Sequence, residues 1–163
     1  MRRFLMLACL LAVAGVVAVP TAAAEPAKAE AKVEITELKF DALEKAVAAQ
    51  KKVVLIDFWA TWCAPCIASM PVLTEVCGKY AEKNVVFFAV NTGESAEAAR
   101  TFAKEQGWKA NLLLDPDGEV ADAFKVDAIP QTVIIGPQGT VQAVHVGFNG
   151  KERAGFYTSA LAL

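Results

Sequence analysis

The 163-residue sequence predicts one α/β domain, an α/β sandwich in which helices flank a mixed β-sheet. Short apolar, β-branched runs alternate with segments of helical periodicity along most of the chain. Near the C-terminus, two such runs are joined by the turn Gly136-Pro137-Gln138-Gly139, which predicts a β-hairpin. The predicted core order is β-α-β-α-β-α-β-β-α, and a chain of this length is typical of one domain.

The first 24 residues have the layout of a secretory signal peptide. Met1-Arg2-Arg3 is basic, residues 4–19 are almost wholly apolar, and Ala22-Ala23-Ala24 offers a small-residue cleavage site. Sixteen apolar residues are short for a spanning helix, and an uncleaved N-terminal membrane anchor is the alternative. Residues 25–32 are rich in Ala, Lys and Glu and are interpreted as a flexible linker. The domain itself is then expected to span 33–163.

Charge and composition narrow the function classes. The formal net charge is −2, and no basic block or aromatic-interleaved stripe indicates a nucleic-acid partner. We expect a monomer without a cofactor. If the chain is exported, it enters an oxidising compartment, where a cysteine pair stays reduced only if another molecule reduces it.

Two strands around a helix are predicted at the start of the domain. Residues 33–35 alternate in polarity and indicate a short edge strand. Asp41 is a capping residue for a helix over 41–50, whose apolar residues recur on one face. Residues 53–60 are apolar and β-branched almost throughout, which indicates a buried strand.

The helix that begins at Cys63 is predicted to continue to about residue 83, because apolar residues after Cys66 recur at helical spacing. Pro71 should kink it, since its ring cannot donate a hydrogen bond and clashes with the preceding turn. Cys77 lies on the apolar face and is interpreted as a small buried hydrophobe, with a resolving or regulatory thiol as the alternative. Residues 85–91 indicate another buried strand.

The next segment predicts a further helix and strand. Ser95 caps a helix that stops at Gly107, and residues 112–114 form a short strand. Asp115-Pro116-Asp117-Gly118 is a turn sequence, after which 120–124 can make one or two helical turns.

The C-terminal part predicts the hairpin and a closing helix. Its strands are 132–135 and 141–146, the second with alternating apolar and polar residues. His145 lies in that second strand and is interpreted as a solvent-facing residue. The closing helix is predicted over about 151–161.

Two cysteines stand where the strand 53–60 gives way to a helix. Cys63 would lie at the helix N-terminus and Cys66 one turn inside, with Pro65 in the first turn, where a missing N–H costs nothing. Unpaired N–H groups and the positive dipole end stabilise a thiolate there, so its pKa should fall below the free value of about 8.5.

A zinc site is the other chemistry for two cysteines at this spacing. No second CxxC or histidine pair follows, and His145 is the one histidine of the chain. The usual zinc-ligand pattern is therefore not completed, and the pair is interpreted as a redox dithiol without a metal.

The sequences Asp57-Phe58-Trp59-Ala60 and Trp62-Cys63-Ala64-Pro65-Cys66 resemble the thioredoxin active site. The segment 91–129, longer than in a minimal thioredoxin, and the hairpin 133–139 are similar to those of TlpA/ResA-like exported thioredoxins. This resemblance covers about 33–163 and implies a thioredoxin fold with a TlpA/ResA-type helix–strand insertion. It further implies an exported thiol–disulfide oxidoreductase.

The resemblance also implies roles for individual residues. Cys63 would attack a substrate disulfide, Cys66 would resolve the mixed disulfide, and Asp57 would exchange a proton with Cys66. Independently of the resemblance, an aspartate in an apolar strand should have a raised pKa, because burial disfavours its charge. The residues expected to contact substrate are Trp62, Ala64, Pro65, Ile129 and Pro130, the last with a cis peptide bond. Trp59 would help Trp62 to wall the site.

The expected direction of electron flow is reductive. The Ala64-Pro65 dipeptide and Ile129 are the types found in reducing relatives, so the resemblance implies reduction of disulfide-bearing exported proteins. The electrons would come from a membrane donor of the DsbD/CcdA kind. Lys125-Val126-Asp127-Ala128 lacks the pattern of members dedicated to cytochrome c maturation, and Ser69 stands where some members carry an acid.

Two other function classes remain open. One is a copper-binding or copper-delivery module that uses Cys63, Cys66 and His145. The other is a peroxidase of the peroxiredoxin kind, although the sequence lacks the Pro-x-x-x-Thr-x-x-Cys context that binds peroxide.

Overall fold

The computed structural model describes residues 35–37 and 40–161. The predicted signal peptide (1–24), the predicted linker (25–32) and the first two residues of the predicted first strand lie outside the described residues.

The predicted elements are present within the described range, and no bound differs from its predicted position by more than three residues. The strands are β1 (Ile35–Glu37), β2 (Val53–Trp59), β3 (Val85–Thr92), β4 (Asn111–Asp115), β5 (Gln131–Ile135) and β6 (Val141–Val146). The helices are α1 (Phe40–Gln50), α2 (Ala64–Tyr80), α3 (Ala96–Glu105), α4 (Glu119–Ala123) and α5 (Gly150–Ala160), with a 3-10 turn, Ala81–Lys83, after α2. Asp41 lies inside the first turn of α1, which begins one residue earlier, so its predicted position as the cap is wrong. Ser95 caps α3, as predicted. Pro71 lies inside α2, and the kink expected there stays a prediction.

The described strands form one mixed sheet in the order β1-β4-β3-β2-β5-β6. β1, β4, β3 and β2 are parallel, whereas β5 is antiparallel to β2 and β6 is antiparallel to β5. The α/β sandwich is therefore confirmed. The predicted core order was one strand and one helix short, although the helix, strand and helical turns of the segment 91–129 were each predicted as α3, β4 and α4 now appear. β4 joins the sheet between β1 and β3.

β2 lies at the centre of the fold and is buried on both faces, as its continuous apolar sequence predicts. Successive residues of a strand point to opposite faces. Leu55 and Trp59 belong to the core cluster that includes residues of α2, α3 and α5, whereas Ile56 and Phe58 belong to the cluster under α1 and α4. By this alternation, Asp57 points to the side that α2 and α5 cover.

β6 has the reverse polarity of an ordinary amphipathic strand. Its three valines are exposed, for example Val144 at 51% and Val146 at 55%, while His145 is half-buried. His145 pairs directly with Thr132, and its ring stacks on Phe156 of α5 with centroids 4.8 Å apart. The interpretation of His145 as a solvent-facing residue is therefore wrong, because α5 covers the face of β6 on which it lies.

Candidate active site

The two cysteines of the CxxC motif form a disulfide at the start of α2. Cys63 immediately precedes the helix, and its Cα lies 5.2 Å from that of Cys66. The backbone N–H of Cys66 points at Cys63 Sγ, with 3.3 Å between N and S. Cys63 is 4% exposed and Cys66 is fully buried, so Cys63 is the one that presents any surface to an incoming molecule.

The first turn of α2 favours a negative charge on sulfur. It contains no acidic residue, so the positive end of this 17-residue helix is not neutralised from within. A thiolate formed at Cys63 on reduction of the disulfide would lie at that end, and the unpaired N–H groups of the first turn would stabilise it.

The exposed surface beside the disulfide is partly apolar. Trp62 is 72% exposed, and Ala64 and Pro65 are exposed as well. Trp59, by contrast, is fully buried and packs edge-on against Trp108 with ring centroids 4.8 Å apart. The expectation that Trp59 walls the site is therefore wrong, since it forms part of the core beneath it.

Pro130 lies at the same end of the sheet as the disulfide. The register pairs Phe58 with Gln131, which places Pro130 one residue further along, at the level where β2 ends. The Ile129–Pro130 peptide bond is cis, as the resemblance implied. Pro130 is buried, Ile129 is half-buried, and the Pro130 carbonyl accepts a hydrogen bond from Gly147 N at 2.8 Å.

Asp57 is fully buried on the α2 side of β2. The hydroxyl of Thr132, its direct partner on β5, donates a hydrogen bond to Asp57 Oδ1. Thr132 Oγ1 also lies 2.8 Å from the hydroxyl of Tyr157 on α5. Sequence reasoning found Asp57 but missed both hydroxyl residues, because their alignment depends on strand register and on where α5 packs.

Ser69 and Cys77 are the other polar or thiol groups buried on α2. Ser69 donates a hydrogen bond to the Cys66 carbonyl at 2.8 Å, which satisfies its hydroxyl within the helix. Burial, and secondly the negative charge of Asp57, raises the pKa of the Cys77 thiol to about 12. Cys77 therefore stays protonated at neutral pH, which supports its interpretation as a buried hydrophobe rather than a resolving thiol.

The Glu94 carboxylate accepts hydrogen bonds from the loop that precedes the disulfide. Its Oε2 accepts hydrogen bonds from Thr61 N and Asn91 Nδ2, each at 2.7 Å, and its Oε1 accepts one from Thr61 Oγ1. Gly93, at φ +72°, forms the turn that brings Glu94 back from the end of β3. Sequence reasoning missed this contact. The available signal was that β2 and β3 are parallel neighbours, whose carboxyl ends meet at one edge of a sheet.

A copper site from Cys63, Cys66 and His145 does not form in this structure. Across 35–37 and 40–161, no group of three or more His, Cys, Asp or Glu side chains is placed to hold a metal ion. His145 lies on the edge strand, against Phe156 of α5. Among the helices of 40–161, none is both long and apolar enough to cross a membrane.

Comparisons with known proteins agree with this geometry. Residues 23–144 match the AhpC/TSA family. The thiol-disulfide oxidoreductase ResA of Bacillus subtilis (strain 168) is 38% identical over 96 residues, which cover 59% of this chain and 54% of the relative. The ResA of Geobacillus kaustophilus is 34% identical over 101 residues. The chain thus spans about half the length of the curated relatives it matches.

Solved structures show the same fold. A candidate thiol:disulfide interchange protein DsbE from Chlorobium tepidum is 30% identical, with a TM-score of 0.65, over 69% of this chain and 82% of that one. StoA from Bacillus subtilis is 20% identical, with a TM-score of 0.59, over 67% of this chain and 84% of that one, and supports the fold alone.

Proposed function

This chain belongs to the AhpC/TSA family and is a TlpA/ResA-like thioredoxin-fold protein, and from that premise we propose that it is an exported thiol–disulfide oxidoreductase that reduces protein disulfides. One observation carries the proposal: the Cys63–Cys66 disulfide lies at the N-terminal end of α2, at the same end of strand β2 as cis-Pro130. Buried Asp57 lies on the α2 side of the same strand. No cofactor is needed, because the two sulfurs carry the electrons.

The first step is attack by Cys63. Its thiolate attacks one sulfur of a substrate disulfide, so that a Cys63–substrate disulfide forms and the substrate's own disulfide breaks. The second substrate sulfur leaves as a thiolate and takes a proton from water. The helix N-terminus supports this step because it favours the thiolate of Cys63 at neutral pH.

The second step is resolution by Cys66. The Cys66 thiol gives its proton to the Asp57 carboxylate, directly or through water, and the resulting thiolate attacks Cys63 Sγ. The Cys63–Cys66 disulfide forms, and the substrate sulfur leaves reduced. Both electrons have then passed from the protein dithiol to the substrate.

Substrate would bind across the exposed rim of the site. Exposed Trp62, Ala64 and Pro65 offer an apolar contact surface beside Cys63. On the opposite side of Cys63, the backbone of Ile129 would form hydrogen bonds with an extended substrate chain. The neighbouring Pro130 would hold the Ile129 backbone in position for this pairing.

The location and the electron donor follow from the N-terminal sequence and the direction of flow. A signal peptide over 1–24, or an uncleaved anchor, would place the domain in the periplasm or at the outer face of the cytoplasmic membrane. A reductant in that oxidising environment has to be recharged, and a membrane electron donor of the DsbD/CcdA kind fits that need.

Two measurements test this function. Reduced protein should cleave the interchain disulfides of insulin, and Cys63→Ser should abolish the activity, while Cys77→Ala, at a buried protonated thiol, should keep it. Equilibration with dithiothreitol buffers should give a reduction potential near or below about −270 mV. A potential towards about −120 mV would mean that the protein oxidises exported thiols instead. Retention of one copper per chain, or consumption of peroxide, would favour the other two classes.

A further inference from the structure

A buried line of polar side chains crosses from the centre of the sheet to α5. Asp57 lies on β2, Thr132 is its direct antiparallel partner on β5, and Tyr157 of α5 covers Thr132. All three residues are 0% exposed. Tyr157 belongs to the apolar core cluster of α2, α3 and α5, so these buried hydrogen bonds are made at low local dielectric.

The direction of the two hydrogen bonds follows from the number of protons. A threonine hydroxyl has one proton, and that of Thr132 is donated to Asp57 Oδ1. The 2.8 Å contact between Thr132 Oγ1 and Tyr157 must therefore be donated by the tyrosine hydroxyl. Both donors point toward the carboxylate, Tyr157 through Thr132 and Thr132 directly.

Donation in this direction favours the ionised carboxylate. Burial disfavours the charge of Asp57, whereas hydrogen bonds made to the charged form offset part of that cost. A donor that itself accepts a hydrogen bond is polarised and donates more strongly, so Tyr157 adds to the effect of Thr132. The hydroxyl of Thr132 also fixes the orientation of the carboxylate.

Other groups face Asp57 from the elements packed around it. In the part of the chain that the structure describes, α2 contributes Cys66 and Cys77 on this side, and the paired residue of β3 is Ala89. On the far side of Thr132, β6 contributes the titratable side chain of His145. A pH profile of the site can therefore contain a histidine contribution, which has to be separated from that of Asp57.

We propose that Thr132 and Tyr157 are positioning residues for the resolving step, which hold Asp57 oriented and ionised so that it accepts the Cys66 proton. The inference rests on the proposed function and deepens it. The covalent step is unchanged: the proton moves from Cys66 Sγ to the carboxylate, and the Cys66 thiolate attacks Cys63 Sγ. The bond between Cys63 and the substrate sulfur then breaks.

The test separates the two steps with the small aromatic disulfide DTNB. Reduced protein should release one coloured thiolate in a phase whose rate depends on DTNB concentration, which reports attack by Cys63. A second thiolate should follow at a concentration-independent rate, which reports resolution by Cys66. Stopped-flow traces across the pH range then give one profile for each step.

Loss of either hydroxyl should shift only the second profile to higher pH. A rise of one unit in the governing pKa lowers the rate about tenfold on the rising limb, and we expect about this for Thr132→Val. Tyr157→Phe, which acts through Thr132, should lower it about threefold. Both variants should approach the wild-type rate at high pH, and Thr132→Ser should restore the wild-type profile.

Two controls make the result specific. Tyr80→Phe changes the other tyrosine of the chain, which lies beside Lys83, and should leave both phases unchanged. In an Asp57→Asn background, Thr132→Val and Tyr157→Phe should have no further effect on the second phase. Any step in the pH–rate profile that disappears in His145→Gln is assigned to the histidine.

Three results would overturn the inference: an unshifted second profile in both hydroxyl variants, equal slowing of both phases at every pH, or a full additional effect in the Asp57→Asn background. The last would mean that the hydroxyls act by another route.

Failure of the proposed function is a separate outcome. Wild-type protein that shows both phases but does not reduce insulin would refute the function and leave the positioning roles measurable. Release of a single thiolate would refute both.

Discussion

Replacement of Glu94 by alanine tests how the loop before the disulfide is held. The carboxylate accepts three hydrogen bonds, two from Thr61 and one from Asn91. Thr61 is half-exposed, so its N–H and hydroxyl can turn to water. Asn91 is fully buried, and its Oδ1 has no hydrogen-bond partner among the residues the structure describes, so loss of Glu94 leaves the whole side-chain amide unpaired.

The magnitude follows from these contacts. A buried polar group left unpaired costs about 1–3 kcal/mol, and a hydrogen bond to a charged group contributes about 1.5–3 kcal/mol when it is not solvent-screened. Because Glu94 is only half-buried, we take the lower end for the Thr61 contacts. Glu94→Ala should then lower the free energy of unfolding by about 2–4 kcal/mol, or the Tm by roughly 6–15 °C for a domain of this size.

Urea and thermal unfolding of the oxidised protein measure this loss. Glu94→Gln should lose less than half as much, since its amide oxygen can still accept from Thr61 N and Asn91 Nδ2 while its amide nitrogen donates to the Thr61 hydroxyl. Glu105→Ala, at an exposed position at the end of α3, is the matched control and should change stability by less than about 0.5 kcal/mol. If Glu94→Ala were no less stable than this control, the loop would not depend on the Glu94 contacts.

Two further predictions concern the buried thiol of Cys77 and the exposed side chain of Trp62. The pKa of Cys77 is raised from 9.0 to about 12, so between those values the unfolded chain has lost the proton that the folded chain keeps. Stability should therefore fall as pH rises through this window, by up to about 1.4 kcal/mol per pH unit from this thiol, and urea titrations should show a slope steeper by that amount in wild type than in Cys77→Ala. Equal slopes in both proteins would refute the buried, protonated thiol. Trp62→Ala should change stability by less than about 0.5 kcal/mol because the ring is 72% exposed, yet lower kcat/KM for a protein disulfide about tenfold. Its DTNB kinetics should stay the same, and an equal loss with both substrates would place Trp62 in the chemistry rather than in substrate binding.

The sequence by itself determined the elements and the position of the reactive pair. Each depends on residues that are close in the chain: the apolar run before Cys63, the helical spacing after Cys66, and the turn before β6. Such patterns can be read from the sequence because the periodicity of a helix or strand depends only on residues that are near each other in the chain. The position of Pro130 at the start of β5 was likewise visible, although its place near the end of β2 came from resemblance and then from the strand register.

Only the tertiary structure decided which residues meet. The valines of β6 are exposed and His145 is half-buried because α5 covers one face of the edge strand, and apolar alternation alone does not say which face that is. Thr132 reaches Asp57 across 75 positions of sequence, and Glu94 reaches Thr61 across 33. Such contacts depend on strand order, register and helix packing together, and these are properties of the whole sheet that no short stretch of sequence contains.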